Sequence, residues 1–250
     1  NPPYMGRSGM NAKLSKFVKD NYPDYKFDLF SACMVKFTHM TKPEGYLSFL
    51  SPYVWMFISS YEKLRRYFIE KKTIETLIQF EYSAFEEATV PICTFVLKNQ
   101  YADKSGCYLR LTEYRGGMEV QRQKALEAIG THNKKMYFET NANNFKRIPE
   151  EPIAYWVGSE CIMVFQKETS LEKYCHVTRG LTTGDNEKYL RMWYEIDYNT
   201  FFSKCNSLEE CEHSKKRWFP HNKGGDYRNW YGNNDLVVFF ENRGQALKTY

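Results

Sequence analysis

The sequence predicts an α/β sheet domain followed by a smaller α+β unit. Three observations predict it. Through the first hundred residues, apolar positions at helical spacing alternate with short, closed apolar runs, the pattern of a helix-backed sheet. Residues 99–158 then change character, with Gly116-Gly117, a polar run around Asn141 to Asn144, and Pro149 and Pro152. Charge finally gathers at the end: seven basic residues (Lys215, Lys216, Arg217, Lys223, Arg228, Arg243, Lys248) oppose three acidic ones (Asp226, Asp235, Glu241), against a net +5 for the whole 250-residue chain. That length suffices for one large domain or two modest ones.

In chain order, residues 5–24 read as a loop punctuated by Gly6, Gly9, Asn21 and Pro23. Phe27, Phe30, Met34 and Phe37 recur at helical spacing, which predicts an amphipathic helix over 26–40. Pro43-Glu44-Gly45 turns the chain into a short buried strand at 46–50, closed by Ser51-Pro52. Ser59 and Glu62 have the spacing of a capping box and open a second helix, with Leu64 and Phe68 on its apolar face. Strands are expected at 74–80 and 90–97, with Pro91 near the start of the second, where a missing donor is tolerated. Joined by about ten residues, the two would pair as an antiparallel hairpin at the sheet edge. The domain reading is 1–98, a connecting segment 99–158, and a second unit from 159 with a helix near Ser170 to Tyr174 and several strands.

Composition narrows the class. Hydrophobic residues at 42% and charged residues at 26% describe a soluble globular chain. No apolar run reaches the length of a membrane span, and no charged-then-apolar leader is visible. Seven cysteines at irregular spacing include no CxxC pair. Neither a disulfide framework nor a zinc ribbon follows, and Cys205, Cys211 and His213 are the nearest approach to a metal set. The expectation is a cytoplasmic protein with reduced thiols and no metal. Basic residues interleaved with aromatics near the end suit a polyanion with stackable bases; a solvated tail with core aromatics has the same composition. Trp193, Trp218 and Trp230 are assigned to the core.

The chain opens on Asn1-Pro2-Pro3-Tyr4, without an initiator Met, and a fragment of a longer protein is the expectation. An exocyclic adenine amine is a poor nucleophile because its lone pair is delocalised into the ring. An enzyme that alkylates it must extrude the base and hold the amine. The Asn1 side-chain oxygen and the Pro2 carbonyl can each accept one amine hydrogen, drawing the nitrogen toward tetrahedral geometry. Two prolines stiffen such a loop, and Tyr4 can stack on the base. Alone, the four residues fit a Pro-Pro turn with an exposed Tyr equally well.

Context favours the first reading. The motif Asn1-Pro2-Pro3-Tyr4 resembles the catalytic loop of gamma-type adenine-specific DNA methyltransferases. So does the order of the next elements: a helix containing Asp28-Leu29-Phe30, the strand 45–52, a helix and two strands. The run Phe85-Glu86-Glu87-Ala88-Thr89-Val90-Pro91-Ile92-Cys93-Thr94 resembles a later family motif, whose aromatic contacts the flipped base. Phe85 is the matching position, and a plain core aromatic fits it equally. Thr178-Arg179-Gly180-Leu181-Thr182-Thr183-Gly184-Asp185-Asn186, followed by Arg191-Met192-Trp193, resembles the start of a target-recognition domain in fused restriction–modification enzymes. The runs 217–225 and 230–234 resemble PglX-type methyltransferases of BREX phage-exclusion systems.

The resemblance implies the C-terminal half of a Rossmann-like methyltransferase sheet followed by an α+β target-recognition domain. It implies an S-adenosylmethionine-dependent adenine methyltransferase acting on double-stranded DNA, with other phage-defence proteins as candidate partners and no membrane. Lys215, Lys216, Arg217, Lys223 and Arg228 become candidates for phosphate contacts. Arg179, Asn186 and Arg191 become candidates for base edges. Each has a second reading, the arginines as surface or ion-paired charges and Asn186 as the holder of a turn. The glycine-rich strand-to-helix turn that would hold the cofactor is not read at Gly6-Arg7-Ser8-Gly9, Gly116-Gly117 or Gly224-Gly225. In the family that half precedes the catalytic loop, so an isolated fragment is expected to bind cofactor poorly and to be inactive. The alternatives are a fused restriction–modification enzyme, a non-catalytic DNA-recognition module with a decayed methyltransferase half, and a methyltransferase for RNA or protein.

Overall fold

A computed structural model describes residues 1–82, 90–176 and 180–249. The chain divides into two compact units, Asn1–Tyr174 and Cys175–Tyr250. The division does not follow the expected boundaries at 98 and 158. Residues 99–158 contribute two strands and a helix to the first unit, so the stretch read as a connector is sheet domain. Its gap between apolar runs is filled by Tyr108, Leu109 and Leu111, each almost fully buried.

The first unit begins with a helix that the sequence reading missed. Residues 5–24 contain α1 (Ala12–Asn21), capped by the Asn11 side chain, which accepts from Leu14 N at 2.9 Å. The turn residues around it mark its ends and not a continuous loop. Next come α2 (Leu29–Met40), β1 (Tyr46–Pro52), α3 (Glu62–Lys71), β2 (Thr73–Gln79) and β3 (Ile92–Lys98). The expected capping box at α3 does not form. A 3-10 turn at Ser59–Tyr61 precedes the helix, the Ser59 hydroxyl donates to Glu150 at 2.7 Å, and the Glu62 carboxylate takes Arg66. β4 (Ser105–Arg110), α4 (Gly117–Thr131), β5 (Tyr137–Asn141) and α5 (Ser159–Lys167) complete the unit.

The sheet order is β1-β3-β2-β4-β5. β3 runs antiparallel to both neighbours, so β1 and β2 are parallel to each other, and β4 is parallel to β2. β2 and β3 pair antiparallel as expected, but inside the sheet, because β1 covers the outer side of β3. The burial of Cys93, Phe95 and Leu97 follows from that central place. Phe95 is the hub of the core, with ring centroids 5.0 Å from Trp55, 5.3 Å from Phe49 and 6.1 Å from Phe68. Gly106 lets β4 close on β2, since a Cβ there would sit 2.2 Å from the Ile74 carbonyl oxygen.

Arg65 of α3 is fully buried and meets backbone only. Its guanidinium donates to the carbonyls of Trp55, Ile58, Glu150 and Glu151 at 2.6–3.1 Å. One side chain thus ties the turn after β1 to the segment after β5.

In the second unit, α6 (Asn186–Tyr189) leads into β6 (Leu190–Met192). The rest of it comprises α7 (Leu208–His213), β7 (Trp218–His221), β8 (Leu236–Phe239) and α8 (Glu241–Lys248). The antiparallel order is β6-β8-β7, over a core of Leu190, Cys211, Phe219 and Val238. The helix expected near 170–174 is a 3-10 turn at Leu171–Lys173. Two of the three tryptophans assigned to the core are on the surface: Trp193 is 55% and Trp230 98% exposed.

Candidate active site

The Asn1–Tyr4 loop is anchored from behind. Tyr4 donates its hydroxyl to the Leu50 carbonyl at 3.1 Å, and its ring meets Phe30 edge-on at 6.3 Å. The next residue is held twice: Met5 N donates to Asp28 Oδ1 at 3.0 Å, and Met5 O accepts from Leu29 N at 3.0 Å. Asp28 is also the N-cap of α2, accepting from Phe30 N at 3.1 Å. One carboxylate therefore starts the helix and fixes the loop. Pro2 is buried while Asn1 and Pro3 are exposed. Burial, then the Cys93 thiol, pushes the Tyr4 phenol up from its ordinary value, so it stays a neutral donor. Phe85 lies outside the described residues.

The loop stands at the C-terminal end of β1, the edge where open α/β sheets place their ligands. The same edge carries residues that the sequence reading did not single out. Tyr53 comes directly after β1, Gln79 ends β2 and Arg110 ends β4. Gln79 and Arg110 are register partners in the parallel pair. Tyr155 donates to Gln79 Oε1 at 3.0 Å and to Leu109 O at 3.3 Å. Trp156 lies under the Arg110 guanidinium, 4.5 Å from ring centroid to the guanidinium carbon. Only the parallel pairing of β2 and β4 brings these residues together, and no spacing in the sequence signals it.

The DNA-reading candidates are in the second unit, except Arg179, which lies outside the described residues. The Asn186 side chain accepts the Thr183 hydroxyl at 2.6 Å and so holds a turn. Arg191 donates to its own segment, at Glu187 O and Leu190 O. Lys216 reaches Asn199 O, and Arg217 pairs with Glu241 at 3.0 Å. Lys215, Lys223 and Arg228 are exposed and enter no ion pair among the described residues. Lys223 and Arg228 share the exposed stretch between β7 and β8 with Tyr227, Trp230 and Tyr231, which are 86–98% exposed. Burial and the nearby Lys223 pull the His221 imidazole below its ordinary value.

A place for S-adenosylmethionine can be tested against the glycines. Gly116-Gly117 lies between a strand, β4, and a helix, α4. The turn is closed, however: the Gln121 side-chain amide donates to the carbonyls of Leu111 and Tyr114. The next strand, β5, runs antiparallel to β4, so its end points away from the turn. An acid that grips a ribose must come from a parallel strand end beside the glycine turn. The residues at this turn do not fit the cofactor. Among the described residues no cluster of His, Cys, Asp or Glu could hold a metal ion, and no helix is long and apolar enough to cross a membrane.

Residues 1–85 match the family model of the Eco57I restriction-modification methylase. The adenine-specific methyltransferase PglX of Lacticaseibacillus casei (strain Zhang) is 34% identical over 100% of the chain and 21% of its own length. The adenine-specific methyltransferase BrxX of Escherichia coli O9:H4 (strain HS) is 34% identical over 99% of the chain and 20% of its own length. The type II restriction enzyme and methyltransferase RM.Eco57I of Escherichia coli is 27% identical over 99% of the chain and 25% of its own length. The chain spans about a fifth of the length of the first two.

Proposed function

We propose that this chain, which belongs to the family of adenine-specific methyltransferases that includes PglX and BrxX, presents a flipped adenine of double-stranded DNA for methylation. The observation that carries the reading is the anchored loop. Asn1 is exposed in front of three hydrogen bonds, two at Met5 and one at Tyr4, that immobilise the backbone on its C-terminal side. A loop held from behind with its carboxamide free is preorganised to accept amine hydrogens.

In this proposal the Asn1 carboxamide oxygen and the Pro2 carbonyl each accept one hydrogen of the adenine amine. The nitrogen lone pair then leaves conjugation with the ring. Tyr4 and Phe85 pack on the two faces of the extruded base. The amine proton departs to solvent after alkylation, so no buried general base is required. The methyl donor is of the S-adenosylmethionine class and is held by residues other than those at the Gly116-Gly117 turn. The second unit reads the duplex: Lys215, Lys216, Arg217, Lys223 and Arg228 on phosphates, and Arg179, Asn186 and Arg191 toward base edges. The setting is phage defence. The higher identity to PglX and BrxX than to the combined restriction enzyme and methyltransferase favours this reading.

Asn1→Ala in the intact protein tests the reading. Methylation is expected to fall by at least ~100-fold, the usual cost of losing one such contact to a reacting group. DNA affinity should stay within about threefold, because phosphate contacts dominate it. Methylation that survives the substitution sinks the assignment.

A further inference from the structure

The shelf at the strand ends contains a cation that has no anion among the described residues. Arg110 is half-buried against the Trp156 ring, its Nε is buried, and that nitrogen has no hydrogen-bond partner. No ion pair among the described residues includes it. Its neighbours are the hydroxyls of Tyr53 and Tyr155, both held protonated by burial against the pull of Arg110 itself. A guanidinium seated over an aromatic ring, with open donors, is a planar fork that matches a phosphate bidentately.

The shelf adjoins the Asn1–Tyr4 loop. Tyr4 is bonded to Leu50 of β1, three residues before Tyr53. Resting on the proposed function, we infer that Arg110 is a DNA-binding residue that clamps a phosphodiester beside the extruded adenine, with Trp156 as its positioning residue. Extruding a nucleotide swings its flanking phosphates with it, so a cation at the base pocket holds the strand in the flipped conformation. The Gln79–Arg110 register fixes the spacing: Gln79 is tied to Tyr155, which precedes Trp156, and the guanidinium is boxed between two strand ends and one ring.

The test uses the intact protein and a short oligodeoxyadenylate, whose bases need no extrusion, titrated at several salt concentrations. Arg110→Gln is expected to weaken binding and to lower the slope of log affinity against log salt by about one, the signature of one lost phosphate contact. Arg110→Lys should keep the slope, because the charge remains, and lose affinity severalfold because the fork does not. A lost packing contact alone would not move the slope. If the wild type binds and methylates while Arg110→Gln titrates identically, the clamp is overturned and the proposed function stands. If the wild type neither binds the oligonucleotide nor methylates DNA, the proposed function fails and the clamp with it. Should Arg110→Gln lose its melting transition, Arg110→Lys decides, and affinity equal to wild type overturns the clamp.

Discussion

Replacing Asp28 by Ala should uncouple the candidate catalytic loop from the fold at modest cost in stability. The side chain makes two bonds through one oxygen, to Phe30 N as the helix cap and to Met5 N as the loop anchor. Losing an N-cap costs about 1 kcal/mol, and losing the second bond about as much again. A loss of ~2 kcal/mol lowers the melting temperature of a unit this size by roughly 4–8 °C. Against a stability of about 5–15 kcal/mol, more than ~99% of the molecules remain folded at 25 °C. Unfolding therefore cannot explain a large loss of turnover, whereas a loop displaced by ~1 Å can, at about 100-fold. The assay pairs urea unfolding of the variant with methylation by the intact protein. Asp28→Asn retains an acceptor oxygen and should recover most of both losses. The reasoning is refuted if Asp28→Ala unfolds like the wild type, or if its methylation drops by no more than threefold while its stability falls as stated.

Two further predictions concern the scaffold. Arg65→Met takes the guanidinium from four backbone carbonyls, of which Ile58 O alone keeps a recorded backbone donor, Tyr61 N, and breaking such a buried network should cost about 3–5 kcal/mol in urea unfolding; a loss under ~1 kcal/mol would show that water replaces the guanidinium. The second concerns pH: burial pushes the fully buried Cys93 thiol from about 9 to about 12. A raised folded value means that its contribution is intact below pH 9 and is lost as pH rises from 9 toward 12, where only the unfolded thiol ionises. Tyr61, pushed up to about 12 by burial and then by Asp28, adds in the same direction above pH 10. The urea midpoint should therefore fall across that range, and between pH 9 and 10 Cys93→Ala should flatten the slope; an unchanged slope there refutes the assignment.

Local chemistry explains what was legible in advance. Helical spacing of Phe30 and Met34 and the β-prone run Ile92-Cys93-Thr94-Phe95-Val96-Leu97 mark α2 and β3, because the side chains that bury an element repeat with its own period; Phe37, on the same spacing, is exposed. The Asn-Pro-Pro-Tyr loop stood out because the groups proposed to present an amine fall in consecutive positions. α1 was missed because Gly, Asn and Pro cluster at its ends. Residues 99–158 looked like a connector because their strands are only five or six residues long and carry Tyr and Cys where Val or Ile would be plainer.

By itself, then, the sequence carried the resemblance to adenine-specific methyltransferases, the alternation of helix and strand, and the four-residue loop proposed to meet the base. Tertiary structure alone decided that β3 lies inside the sheet, that Trp193 and Trp230 face solvent, that one Asp28 oxygen serves helix and loop, and that Arg110 meets Trp156 beside Gln79. The reason is range. Periodicity and capping act over three or four residues, whereas Gln79 and Arg110 are 31 positions apart and meet only because parallel strands need a long connection before they pair. That pairing depends on Gly106, where any side chain would press on the Ile74 carbonyl.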